Sequence, residues 1–152
     1  MAQPNSQPTL RDALNSSLLF LFSEARFSLA DLRESAASDS AKLVRPNCTV
    51  TLLMRNGEWW MKIGPDLNEL YDIDDVFQLV EPIANDAPHA PGYGLVSALD
   101  GYAQVLRPHI ATIVELFQPE QWPANRARLS AYIEARDERV MKAFAKSANK
   151  KG

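Results

Sequence analysis

The chain carries one cysteine, Cys48, among 152 residues, so no disulfide can close within it. Histidine is almost as scarce. His89 and His109 stand far apart and, with no second cysteine, make no metal-ligand spacing. Apolar runs are short: Leu18–Phe22 is five residues, against the roughly 18 of a membrane span. Residues 1–8 hold no lysine or arginine, so the start does not read as a signal peptide and a cytoplasmic location is expected. There is no Gly-x-Gly-x-x-Gly, no P-loop, no Gly-x-Ser-x-Gly and no His-Glu-x-x-His. These absences remove the common nucleotide, hydrolase and zinc-protease signatures. No internal repeat is visible.

Positive charge is missing from one long window. From Ile63 to Leu106 there is no lysine or arginine, while Asp66, Glu69, Asp72, Asp74, Asp75, Glu81, Asp86 and Asp100 supply eight acids. Residues 107–152 hold nine lysines or arginines against five acids. The net charge of −3 therefore hides a segment of −8 and a segment of +4, with residues 1–62 close to neutral.

What remains is ordinary for a globular chain: 46% hydrophobic and 23% charged residues, enough for one domain with a real core. Residues 1–8 read as a loose tail, 9–146 as the domain, and 147–152 as a basic frayed end. The most legible stretch is Thr49–Ile63, a β-hairpin turning at Asn56-Gly57. With that tip, Arg55 faces Glu58, Met54 faces Trp59, Leu53 faces Trp60, Leu52 faces Met61, Thr51 faces Lys62 and Val50 faces Ile63. One face is then apolar. The other is polar except for Leu53 and Trp60, so Trp59 is expected inside and Trp60 outside.

Elsewhere the pattern is helical. Thr9 with Asp12 resembles a capping box ahead of Leu10, Ala13, Leu14 and Leu18. Ser28 with Asp31 repeats it, so 9–38 reads as two helices or one bent one. Leu67, Leu70 and Tyr71 suggest a helical turn or a third strand at 69–73. Asp74 could cap a short helix through Val80, and the prolines and glycines of 82–94 lead one to expect a loop there. Leu95–Phe117 carries an apolar stripe interrupted by Pro108, where a kink or split is expected. A last helix from about Ala124 to Ala145 should bury Leu129, Ile133, Val140 and Phe144. The expected fold is α+β: four or more helices packed on a small antiparallel sheet centred on a hairpin at residues 49–63.

Function is less legible. The acidic window suggests a non-catalytic inhibitor or immunity-type protein of bacterial kind that captures another protein with a basic surface. Its contact residues would be Leu53, Trp60, Asp66, Glu69, Asp72, Asp74 and Asp75, with Trp60 as anchor. The plainer explanation is a solvated acidic face paired with the chain's own basic helix. Asp72-Ile73-Asp74-Asp75 lacks the glycine and terminal glutamate of a calcium loop, so neither metal nor cofactor is expected. A small enzyme using these carboxylates and a histidine is an alternative. So is a nucleic-acid or membrane binder using Arg126, Arg128, Arg136, Arg139, Lys142 and Lys146 of the last helix. The interleaved Glu134, Asp137 and Glu138 favour an ordinary surface helix instead.

Overall fold

The computed structural model describes residues 9–35, 38–55, 58–80 and 95–150. The fold is α+β, an antiparallel sheet with helices against one face. Two short helices, α1 (Leu10–Asn15) and α2 (Phe20–Ser23), lead into five strands. These are β1 (Ser28–Glu34), β2 (Ser38–Arg45), β3 (Cys48–Arg55), β4 (Glu58–Asp66) and β5 (Glu69–Asp72). Helices α3 (Ile73–Val80), α4 (Leu95–Leu116) and α5 (Trp122–Lys150) follow. The strands lie in chain order, each antiparallel to the next, which is a simple meander with β3 in the middle.

The β3–β4 register is the one expected, from Arg55↔Glu58 to Val50↔Ile63. The tip at 56–57 and the side chain of Trp59 lie outside the described residues. The sheet is larger than a hairpin with one added strand. Residues 28–34, expected to be helical, form β1 and pair with β2. Leu29 and Leu32 have a helix-like spacing, but a bulge between Leu29 and Asp31 lets Leu32 pair with Ala41. Pairing along β2 thus overrides the helical preference of Leu, Ala, Arg and Glu. The β2–β3 turn is Pro46-Asn47, with Asn47 at φ 61°, a conformation asparagine tolerates.

The inner sheet face carries Ala41, Leu43, Val50, Leu52, Met61 and Ile63, all buried. They join one core with Leu10, Leu14 and Leu18 of the N-terminal segment, Val76 and Phe77 of α3, Ile113 of α4 and Leu129 of α5. Helix α3 packs on β4 and β5 from one side and meets α4 and α5 on the other. The Thr9 capping box is present, with Thr9 Oγ1 accepting from the Asp12 amide at 3.1 Å and Asp12 Oδ2 from the Thr9 amide at 3.1 Å. Buried Asp39 adds a tie that the sequence does not announce. Its carboxylate accepts from the Leu10 amide at 3.2 Å and the Ser35 amide at 3.3 Å, fastening α1 to the sheet.

Helix α4 continues through Pro108 rather than splitting there. Helix α5 runs to Lys150, through most of the expected frayed end. Its first half is anchored by Leu129 and half-buried Ile133. Val140 and Phe144 are not core residues: they are 48% and 70% exposed, with Met141 at 68%. Their spacing puts them on one side of the helix, but α5 outruns the body that would cover it. Deleting residues 140–152 is therefore expected to move the thermal midpoint by no more than about 2 °C, because exposed positions contribute little to folding. A scanning-calorimetry comparison of the truncated and full chains checks this.

Candidate interaction surface

Strand alternation places the second set of side chains on the outer sheet face. The pairings define two rows across it. One is Arg33–Ser40–Leu53–Trp60, and the other is Asp31–Lys42–Thr51–Lys62–Asp72. Leu53 and Trp60 are directly paired, and the indole is 42% exposed. Beside them lies a recess of about 370 Å³ lined by Ser40, Lys42, Thr51, Leu53, Trp60 and Lys62, with Ala41 and Leu52 at its floor. Among the described residues neither Lys42 nor Lys62 makes an ion pair. Asp31, next to Lys42 in its row, is held instead by Arg33 at 3.0 Å.

The seven residues expected to form one contact site do not lie together. Leu53, Trp60 and Asp72 share the outer face. Asp66 ends β4, and its carboxylate accepts from the Asn68 amide in the turn that follows at 2.8 Å. Glu69 lies on the opposite face of β5 from Asp72, turned toward α5. Arg126 grips it with two hydrogen bonds, 2.8 and 2.6 Å, and the Tyr71 hydroxyl donates to it at 2.6 Å. The hydrogen bond from Arg126 is the chief cause of its lowered pKa. Tyr71 is pushed up to about 12 by burial and then by Glu69. Its ring stands edge-on to Trp122 at 5.8 Å, and Arg126 lies 5.4 Å from the centre of that indole. This cluster fastens β5 to the start of α5.

Asp74 and Asp75 occupy the first turn of α3, where the free amides favour negative charge. Asp74 is half-buried. Asp75 is 6% exposed and pairs with Arg136 of α5. Burial raises its pKa, and Arg136 works against that rise. Two of the five expected capturing acids are thus engaged by arginines of the basic helix, as the plainer explanation of the charge pattern requires.

The remaining candidates fall away from the outer face. Cys48 is buried, and burial pushes its thiol up to about 12, which leaves it unreactive at neutral pH. His109 is half-buried against the edge of Phe77, 6.1 Å between ring centres. His89 lies outside the described residues. Among the described residues no group of three or more His, Cys, Asp or Glu could hold a metal. No described helix is long and apolar enough to cross a membrane. Comparison with family models, with curated proteins and with solved structures finds no match to this chain.

Leu53 and Trp60 stand out in the sequence because they interrupt a polar face. Lys42 and Ser40 do not, because they lie on β2, outside the alternation at residues 49–63. The signal was Pro46-Asn47: a two-residue turn before β3 implies a strand mirrored on its other side.

Proposed function

We propose that the chain is a non-catalytic binding protein that acts by contact with another protein, in the manner of an inhibitor or immunity protein. The contact surface is the outer sheet face around Trp60 and Leu53. One observation carries this reading: a tryptophan 42% exposed beside a leucine, next to the polar side chains of Ser40, Lys42, Thr51 and Lys62. Burying such a ring contributes much of the energy of a typical interface, and tryptophan is enriched where single side chains dominate binding. The opposite face is already occupied by the core, so the fold itself does not need this one.

Trp60→Ser is expected to lower capture of the partner by roughly tenfold or more, the equivalent of about 1.4 kcal/mol, while the circular dichroism spectrum stays unchanged. Affinity capture from the source cell, quantified by mass spectrometry for the two proteins side by side, measures it. Equal capture would remove the outer face as the contact surface.

A second reading keeps the acids as the capturing group for a basic partner. It is supported by Asp66 and Asp72, which remain exposed. Charge reversal at these two positions would slow association without unfolding the chain if they steer the partner. Reversal at Asp75 cannot serve that test, because it would break the pair with Arg136.

A further inference from the structure

We infer that the partner presents an acidic, extended peptide segment to the outer sheet face, a charge opposite to the one the central acids suggest. The inference rests on the reading above that this face is the contact surface, and it adds what binds there.

The recess beside Trp60 is bordered by two lysines and, among the described residues, no acid. Lys42 and Lys62 flank Thr51 in one row, two strand spacings apart, roughly 9.6 Å between backbones. Each ammonium rides on a flexible four-carbon stem, so both can converge on one group above Thr51. The hydroxyls of Ser40 and Thr51 supply further donors at the recess. Trp60 and Leu53 provide its apolar side. A ligand that satisfies this surface brings one carboxylate and one apolar group.

The spacing of those two requirements suits a strand-like segment. Trp60 and Lys62 lie two residues apart on β4, roughly 6.8 Å. An extended partner presents side chains of residues i and i+2 on one side at the same interval. An aromatic or aliphatic residue two positions from an Asp or Glu therefore matches both features at once.

The same row argues against a nucleic-acid strand. Asp31 closes it at one end and Asp72 at the other. A phosphate backbone tracking along the lysines would run into carboxylates on both sides. Single-strand binders also stack several bases on several aromatics, and here one described indole is exposed. Two cations between two anions favour a short anionic group over a continuous one.

Selection of random displayed peptides on the folded full chain tests this, with a parallel selection on Trp60→Ser. The expected winners carry Asp or Glu two positions from Phe, Trp, Tyr or Leu. A synthetic winner should lose roughly tenfold in affinity on Trp60→Ser and on the Lys42→Glu/Lys62→Glu pair, and should weaken with salt. Amide shifts in NMR should map to Ser40, Lys42, Thr51 and Lys62. If the doubly reversed protein does not fold, Lys42→Gln/Lys62→Gln carries the same test. Winners lost on Trp60→Ser but rich in Lys or Arg would overturn the acidic partner and leave the contact surface standing. Winners indifferent to Trp60→Ser would overturn both. Retention of oligouridylate more tightly than the selected peptides would replace the peptide by a nucleic acid and overturn the inference.

Discussion

Replacing Gly64 by alanine is expected to destabilise the protein by at least about 3 kcal/mol, among the largest effects any single methyl group could have here. A Cβ built on Gly64 stands 1.8 Å from the carbonyl oxygen of Glu69, 2.9 Å from its carbonyl carbon and 3.1 Å from the Cα of Leu70. All three are backbone atoms, so no rotamer change relieves the clash. The chain must move instead. Gly64 lies where the β4–β5 register shifts, between the Ile63↔Tyr71 pair and the Asp66↔Glu69 pair. Pushing β5 away strains both pairs. It also drags Glu69 and Tyr71 from Arg126 and Trp122, which hold α5 to the sheet. Chemical denaturation of Gly64→Ala against the parent chain measures the loss. A midpoint within experimental error of the parent would mean that β5 can shift freely, which the β5–α5 cluster argues against.

That glycine lies within β4, and nothing in the sequence says which backbone comes close to it. The same divide separates what was legible from what was not. The β3–β4 register follows from period-two alternation plus a turn dipeptide, both local properties, so Thr51 opposite Lys62 could be read by hand. Strands β1 and β2 resist such reading. Ser-Leu-Ala-Asp-Leu-Arg-Glu is built of residues that a helix also accepts, and Asp39 puts a charge on the inner face of β2, where it serves backbone amides instead of core packing. What makes these segments strands is their neighbours. Lys42 belongs to β2 and is hidden for the same reason, and with it one of the two lysines at the recess.

Long-range pairing hid the rest. Glu69 and Arg126 are 57 residues apart in the chain, and Asp75 and Arg136 are 61 apart. The segregation of acids from arginines was plain, but which acids meet which arginines depends on where α5 crosses β5 and α3. Periodicity has a similar limit in α5. It shows that Val140 and Phe144 share a side; it does not show that anything packs there. The recess beside Trp60 is thus bordered by two lysines and an exposed indole, although the sequence reads as acidic around it.

Arg136→Met is expected to cost about 2 to 3 kcal/mol at neutral pH, below the upper range for a buried pair because the guanidinium keeps some water. The substitution preserves much of the side chain's bulk and removes its charge. Asp75 would then be ionised at 6% exposure with its principal counter-ion gone. The pH dependence follows from the direction of its shift. Burial already raises the Asp75 pKa in the folded chain above its value in the unfolded one. A carboxyl group shifted in that direction favours folding most below its unfolded pKa, and that contribution is lost as pH rises through the folded pKa. Without Arg136 the folded pKa climbs further, because the attraction that opposed desolvation is absent. The deficit of the variant should therefore shrink as pH falls from neutral into the acidic range, where the carboxyl becomes protonated. Thermal or urea unfolding of both proteins across that range checks the sign. Asp75→Asn added to Arg136→Met should recover part of the loss at neutral pH, since it removes the stranded charge. A deficit that stays constant with pH and is untouched by Asp75→Asn would show that Arg136 acts through packing alone. The acid at position 75 would then carry none of the coupling between α3 and α5.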